Sequence, residues 1–128
     1  MTQNIPVPYD AEFQSPIPSI WRDCIIQIIE AFKDKDFERL NTLPYVQCID
    51  VAYAAEIAKN IDDYGAHLMS LAEESWHTSV CLYMENESWQ AIIDLFTVEE
   101  GRSDLILDLF IIKKEDQFIF QINNIYVP

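Results

Sequence analysis

The spacing of apolar residues changes once along this chain, and that change limits the folds that the chain can adopt. Up to about residue 64, apolar residues recur every three or four positions, which is the period of an amphipathic helix. From about residue 76 they form runs rich in Ile, Leu, Phe, Tyr and Val, which are typical of β-strands. Helices followed by strands predict an α+β protein.

The first helix is predicted at residues 19–33, with Ser19 as its N-cap. A short helical turn is expected around residues 36–40, and Pro44 stops it. The apolar face of the first helix is broad, so this helix must pack against a large hydrophobic surface. Its members are Ile20, Trp21, Cys24, Ile25, Ile28, Ile29 and Phe32.

The second helix is predicted at residues 50–64. Asp50 is a suitable N-cap, and Gly65 stands where a helix commonly ends in a left-handed residue. We therefore expect both ends of this helix to be fixed by the local sequence.

Four strands are predicted in the second half, and the short polar turns between them make neighbouring strands antiparallel. Their ranges are 76–84, 88–98, 103–113 and 117–127. The helices are expected to pack on a curved four-stranded meander, a cone-like arrangement similar in pattern to cystatin and nuclear-transport-factor-like folds. That similarity concerns the order of elements and carries no function.

The hairpin between the second and third strands fixes which side chains share a face of the sheet. If Glu100-Gly101 is a two-residue turn, Thr97 lies opposite Asp104. Asp104 then shares a face with Asp108, and Asp94 points to the opposite face. Such carboxylates can accept structural hydrogen bonds, form part of a partner surface, or act as a general acid and base. Both faces of the third strand are otherwise largely apolar, so its second face should meet the N-terminal arm, another chain or a pocket.

The organisation predicted is a proline-rich arm at residues 1–18 followed by a single α+β domain at residues 19–128. Proline lacks an amide donor, so no regular element is expected before Ser19. The chain has no apolar run long enough to span a membrane and no signal-peptide pattern, which predicts a cytoplasmic protein. Three cysteines without a CxxC motif indicate neither a disulfide framework nor a zinc ribbon.

The charge of the chain restricts its partners. Eight basic and 22 acidic residues give a net charge of −14. Such a surface repels nucleic acid and anionic membranes and favours a basic protein. Residues 60–112 contain eleven acidic residues and one lysine or arginine, Arg102. Most of the excess negative charge therefore lies in the second half of the chain.

Motifs for catalysis or metal binding are weak. Gly65 and Gly101 are the only glycines, so a phosphate-binding loop cannot be built. His77 and Ser79 would share a face of a strand, but no nucleophile elbow frames the serine. We therefore predict no enzyme activity, no catalytic residue, no metal site and no cofactor.

A partner-binding surface is predicted from the acidic residues and from two tryptophans that flank an acidic turn. Its members are Asp62, Asp63, Glu74, Trp76, Glu85, Glu87, Trp89, Glu99, Glu100 and Asp104.

Three segments carry a family resemblance: Ile61-Asp62-Asp63-Tyr64-Gly65, then Glu74-Ser75-Trp76-His77-Thr78-Ser79, then the run from Trp89 to Leu105 that contains Glu-Glu-Gly-Arg-Ser-Asp. Over about residues 20–128 the chain resembles a family of small bacterial proteins of uncharacterised function, and that family brings no established catalytic residues that could be carried over. In size, charge and style it also resembles the immunity proteins encoded beside contact-dependent growth inhibition toxins.

The resulting hypothesis is an immunity-type binding protein that neutralises a basic toxin domain, such as a nuclease, by covering it with an acidic surface. Two alternatives stay open. One is a small-ligand-binding or enzymatic cone-fold domain with a pocket between helix and sheet, near His77 and either Asp94 or Asp108. The other is a structural homodimer formed through the second apolar face of the sheet.

Overall fold

A computed structural model describes residues 4–128 as an α+β fold with helices against one face of an open antiparallel sheet. Five strands lie in the order β1-β2-β3-β4-β5. The elements in chain order are β1 Ser15–Pro16, α1 Ser19–Lys33, α2 Phe37–Leu40, α3 Val51–Tyr64, a 3₁₀ helix Glu73–His77, β2 Val80–Glu85, β3 Ser88–Thr97, β4 Gly101–Lys114 and β5 Gln117–Tyr126.

The range predicted for the first helix is confirmed, but its cap is not the one predicted. Pro18 is the N-cap and makes no side-chain capping bond, whereas Ser19 is the first helical residue. The Ser19 hydroxyl accepts a hydrogen bond from the Ile5 amide at 2.8 Å, and the Ser19 amide donates to the Ile5 carbonyl at 3.0 Å. The arm thus provides a hydrogen-bond acceptor for an amide at the start of the helix, which a local cap would otherwise provide.

Both ends of α3 form as predicted. The Asp50 carboxylate accepts a hydrogen bond from the Ala52 amide at 2.8 Å. Gly65 adopts a left-handed conformation with φ 86° and ends the helix. The short helical turn at α2 is also present, with Asp36 as its N-cap. These local signals fix the helices before packing is considered.

The sheet differs from the four-stranded prediction at its first edge. The strand predicted at 76–84 begins only at Val80, because Glu73–His77 form a 3₁₀ helix. A fifth strand, β1, pairs with β2 and lies inside the arm where no element was expected. The arm tolerates Pro16 at this edge because an edge strand can leave one amide position unpaired. The remaining meander is roughly consistent with the cone-like pattern.

The β3–β4 hairpin has a different register from the one predicted. Thr97 pairs with Gly101, so the loop contains the three residues 98–100, and a bulge follows between Asp94 and Phe96. Gly101 has φ 71°, which a glycine adopts at little cost. The predicted opposition of Thr97 and Asp104 is therefore wrong. Asp94 lies opposite Ile106, on the same face of the sheet as Asp104 and not on the opposite one.

Trp89 on β3 is the centre of the aromatic core. It is fully buried and makes an edge contact with Trp21 of α1, with ring centroids 5.5 Å apart. It also contacts Phe118 of β5 at 5.6 Å and Tyr83 of β2 at 5.4 Å. One side chain thereby joins α1 to three strands of the sheet.

The same tryptophan holds the N-terminal arm. Its indole N–H donates to the Pro8 carbonyl at 2.7 Å, and Tyr9 packs against its ring at 5.5 Å. Residues 1–3 of the predicted arm lie outside the described residues. The arm is also held at Ile5 by backbone bonding to Ser19 and at Ser15–Pro16 by strand pairing with β2.

The second face of the sheet carries half-buried apolar residues among polar ones. Ile92, Phe110 and Ile112 alternate with core residues and lie on this face together with Asp108. Within residues 4–128, no helix is long and apolar enough to cross a membrane.

The left-handed end of α3 gives a test of the local folding rules. We expect Gly65→Ala to lower the free energy of unfolding by about 1 kcal/mol, because an L residue is strained at this φ. Nothing lies within 4 Å of an added Cβ, so the loss is conformational and not steric. Urea denaturation measures it. Gly101→Ala, at φ 71° and equally free of neighbours, serves as the matched variant and should lose a similar amount. An unchanged stability in both variants contradicts this account.

Candidate functional site

The ten residues predicted to bind a partner do not form one surface. Five of them come together where the end of α3 meets the β3–β4 loop, and we call this group the acidic end. It consists of Asp62, Asp63, Glu99, Glu100 and Asp104.

Tyr64 and His67 connect the two parts of the acidic end. The Tyr64 hydroxyl donates to the Glu100 carboxylate and accepts a bond from the Asp104 amide at 3.4 Å. The His67 amide donates to Glu99 Oε1 at 2.8 Å, and His67 Nδ1 lies 2.6 Å from Glu99 Oε2. The sequence spacing did not reveal this convergence, because the contacts join residues more than 30 positions apart.

Neighbouring bases compensate only part of the charge. Lys35 lies 3.3 Å from Asp62, and Lys59 lies 3.5 Å from Asp63. Both pairs are largely exposed, so each contributes little to stability. Among residues 4–128, no lysine, arginine or histidine nitrogen lies within 4 Å of the carboxylates of Glu100 or Asp104. These two remain available to a cationic partner.

Hydrogen bonding shifts two pKa values at the acidic end. The side chain and backbone of His67 hold the pKa of Glu99 below its usual range, because both hydrogen bonds favour the ionised carboxylate. The hydrogen bond to Glu100 raises the pKa of Tyr64, because it favours the neutral hydroxyl. Glu99 therefore stays charged as the pH falls toward the ordinary range of glutamate.

Glu85 and Glu87 lie at the opposite end of the sheet, in the β2–β3 hairpin. The ten residues of β3 separate them from the acidic end by about 33 Å. Asn86 and Glu87 form a two-residue loop, which requires positive φ at both positions, and Glu85 is also left-handed. The predicted surface therefore splits in two, because this hairpin points away from the β3–β4 loop.

The two predicted tryptophan anchors are not exposed. Trp89 is a core residue, which corrects its placement on a binding surface. Trp76 is 6% exposed, and the guanidinium carbon of Arg22 lies over it, 5.0 Å from the centroid of the Trp76 ring. Glu74 is exposed on the 3₁₀ helix. The misplacement of Trp76 has a local cause, because residues 76–79 were predicted to belong to a strand that begins only at Val80.

The other carboxylates of the sheet have structural partners. Asp94 accepts a hydrogen bond from the Thr78 hydroxyl and lies 3.5 Å from Arg102. Asp108 accepts from the Gln90 amide at 3.1 Å. These contacts favour the first of the three interpretations, in which the carboxylates accept hydrogen bonds that stabilise the fold.

The residues most suited to nucleophilic chemistry are not arranged for it. Ser79 is buried and bonded to Ser75, with 2.9 Å between the two hydroxyl oxygens, while His77 is exposed on the 3₁₀ helix. Burial raises the pKa of Cys81 to about 12, and burial together with the Asp23 charge raises that of Cys24 to about 11. Both thiols are therefore protonated at neutral pH and are poor nucleophiles.

A groove of about 720 Å³ lies between the N-terminal arm, the start of α1 and the 3₁₀ helix. Arg22, Trp76 and His77 are among its lining residues. His77 was expected near a pocket, but Asp94 and Asp108 do not line this one, and the arm forms one wall. Arg22 is not among the predicted site residues, because a polar residue on α1 carries no sequence signal for a groove.

Residues 29–128 match a protein family described as a domain of unknown function, DUF7668. This is consistent with the resemblance to an uncharacterised family. Neither curated proteins nor solved structures gave a match.

The Glu99–His67 contact predicts a pH-dependent contribution to stability. The folded-state pKa of Glu99 is lowered, so its contribution is present above the ordinary pKa of glutamate and is lost as the pH falls through the lowered value. We expect Glu99→Gln to be less stable than the parent protein near neutral pH and to approach it below about pH 4. Chemical denaturation across this range measures the difference. A difference that does not change with pH contradicts the assignment.

Proposed function

Because the chain belongs to the DUF7668 family, whose description carries no function, we propose a function from the chain's own surface. The protein is an immunity-type binding protein, and it neutralises a basic toxin domain by covering it. The acidic end is the contact surface. The observation that carries this proposal is the convergence of five carboxylates from α3 and the β3–β4 hairpin at one end of the molecule.

Electrostatic attraction supports this choice of partner. The chain has a net charge of −14, and such a field speeds the approach of a cationic protein. Glu100 and Asp104 lack a cation within 4 Å among the described residues, so a lysine or arginine of the partner can pair with them. A nuclease is a suitable partner class, because its substrate-binding surface must be basic to hold phosphates.

The local geometry also supports a protein partner. Tyr64 and His67 hold the carboxylates of Glu100 and Glu99, so less side-chain freedom is lost when a partner binds. The group projects from a helix end and a hairpin loop, and the cavity that Asp62 and His67 line has a volume of only about 50 Å³. A cavity of this size is too small for most ligands, so a projecting, charged group fits the concave site of another protein better than it fits a small molecule.

A growth assay tests the proposal. The product of the reading frame next to this gene is expressed alone and together with the protein. We expect the neighbour to arrest growth alone and the protein to restore it. The double variant Glu100→Lys with Asp104→Lys should lose protection and should slow association at low salt by about tenfold or more.

The hairpin tip provides the matched control. Glu85→Lys with Glu87→Lys makes the same change of charge at the far end of the sheet and should retain protection. Circular dichroism confirms that both double variants fold. A neighbour that is harmless, or equal effects of the two double variants, contradicts the proposal.

A further inference from the structure

The groove beside the N-terminal arm has the size of a small-molecule site. Its volume of about 720 Å³ lies within the range of ligand pockets in proteins. Its walls come from the arm, the first turn of α1, the 3₁₀ helix and the start of β2. It does not include any residue of the acidic end, so an occupant would not compete directly for that surface.

Arg22 is held in a fixed position within this groove. Its Nε and Nη2 donate to the Ile17 carbonyl at 3.2 and 3.1 Å. Its guanidinium stacks over Trp76, whose ring is almost fully buried. The planar group is therefore oriented before any ligand arrives, and its remaining N–H donors are left for one.

The charge of Arg22 is not neutralised by the protein. Among residues 4–128, no carboxylate oxygen lies within 4 Å of it, although five lysine and arginine side chains have such a partner. Those five are Lys33, Lys35, Lys59, Arg39 and Arg102. A guanidinium that faces a cavity in an acidic protein is best completed by a carboxylate from a ligand.

The groove also offers one carboxylate. Glu73 lines it and is exposed, and its oxygens lie more than 4 Å from Arg22. Gln14 and His77 add polar groups between the apolar walls. We propose that this groove binds a small zwitterion, of the class of short peptides and amino acids, with its carboxylate on Arg22 and its ammonium group on Glu73.

The overall charge distinguishes this ligand from a phosphate. A net charge of −14 raises the free energy of bringing a dianion to the surface, whereas a net-neutral zwitterion avoids most of that penalty. The volume exceeds what a single small amino acid fills, so a short peptide uses the groove better. This proposal does not depend on the partner proposed for the acidic end.

Titration of the full chain by ¹H–¹⁵N NMR tests the proposal with four probes. The probes are trialanine, trialanine amide, N-acetyl-trialanine and inorganic phosphate. We expect trialanine to shift resonances of Arg22, Trp76 and Glu73. The amide and the N-acetyl form should each bind about tenfold or more weakly, because each lacks one charged partner. No shift with trialanine up to about 10 mM, or tighter binding of phosphate, overturns the proposal.

Variants separate the two charged contacts. Arg22→Gln should weaken trialanine about tenfold or more, whereas Lys114→Gln, which removes an exposed positive charge at the β4–β5 turn, should not. Because Glu73 is exposed, the Glu73→Gln variant should fold, so it tests the proposal even if Arg22→Gln is unstable. It should weaken trialanine but leave N-acetyl-trialanine unchanged. Equal effects of Glu73→Gln on both peptides overturn the assignment of the ammonium group.

Discussion

Trp89 is the side chain on which the rest of this structure depends. It lies fully buried on β3, contacts Trp21 of α1, and donates its indole N–H to Pro8 of the arm. A smaller apolar residue would leave the arm without this bond and the aromatic core without its centre. The arm that Trp89 holds at Pro8 also forms one wall of the groove.

The helices and the general architecture follow from local sequence, and their positions could be predicted closely. Asp50 and Gly65 act through bonds and dihedral angles within one turn of the chain. The hairpin register could not be predicted in the same way. It depends on whether two or three residues form the β3–β4 loop and on a bulge near Asp94, and a shift of one residue moves every side chain to the other face.

The sequence predicted which residues belong to the candidate surface but not which of them lie together in space. Glu85 and Glu99 contribute equally to the net charge, although the length of β3 separates them in the structure. The group at the acidic end exists because Tyr64 and His67 make contacts across long sequence separations, and no periodic pattern encodes those. The role of Arg22 in the groove could not be predicted for a similar reason. Arg22 lines a groove only because the 3₁₀ helix and the arm pack beside this position of α1.

Amide hydrogen exchange of the protein, alone and bound to its neighbour-encoded partner, tests the account most directly. The account predicts new protection at residues 62–67 and 98–104, since both lie at the acidic end. It predicts no change at residues 85–87, which lie at the far end of the sheet. Protection centred on residues 85–87, with residues 98–104 exchanging as in the free protein, would contradict the claim that the acidic end is the binding surface.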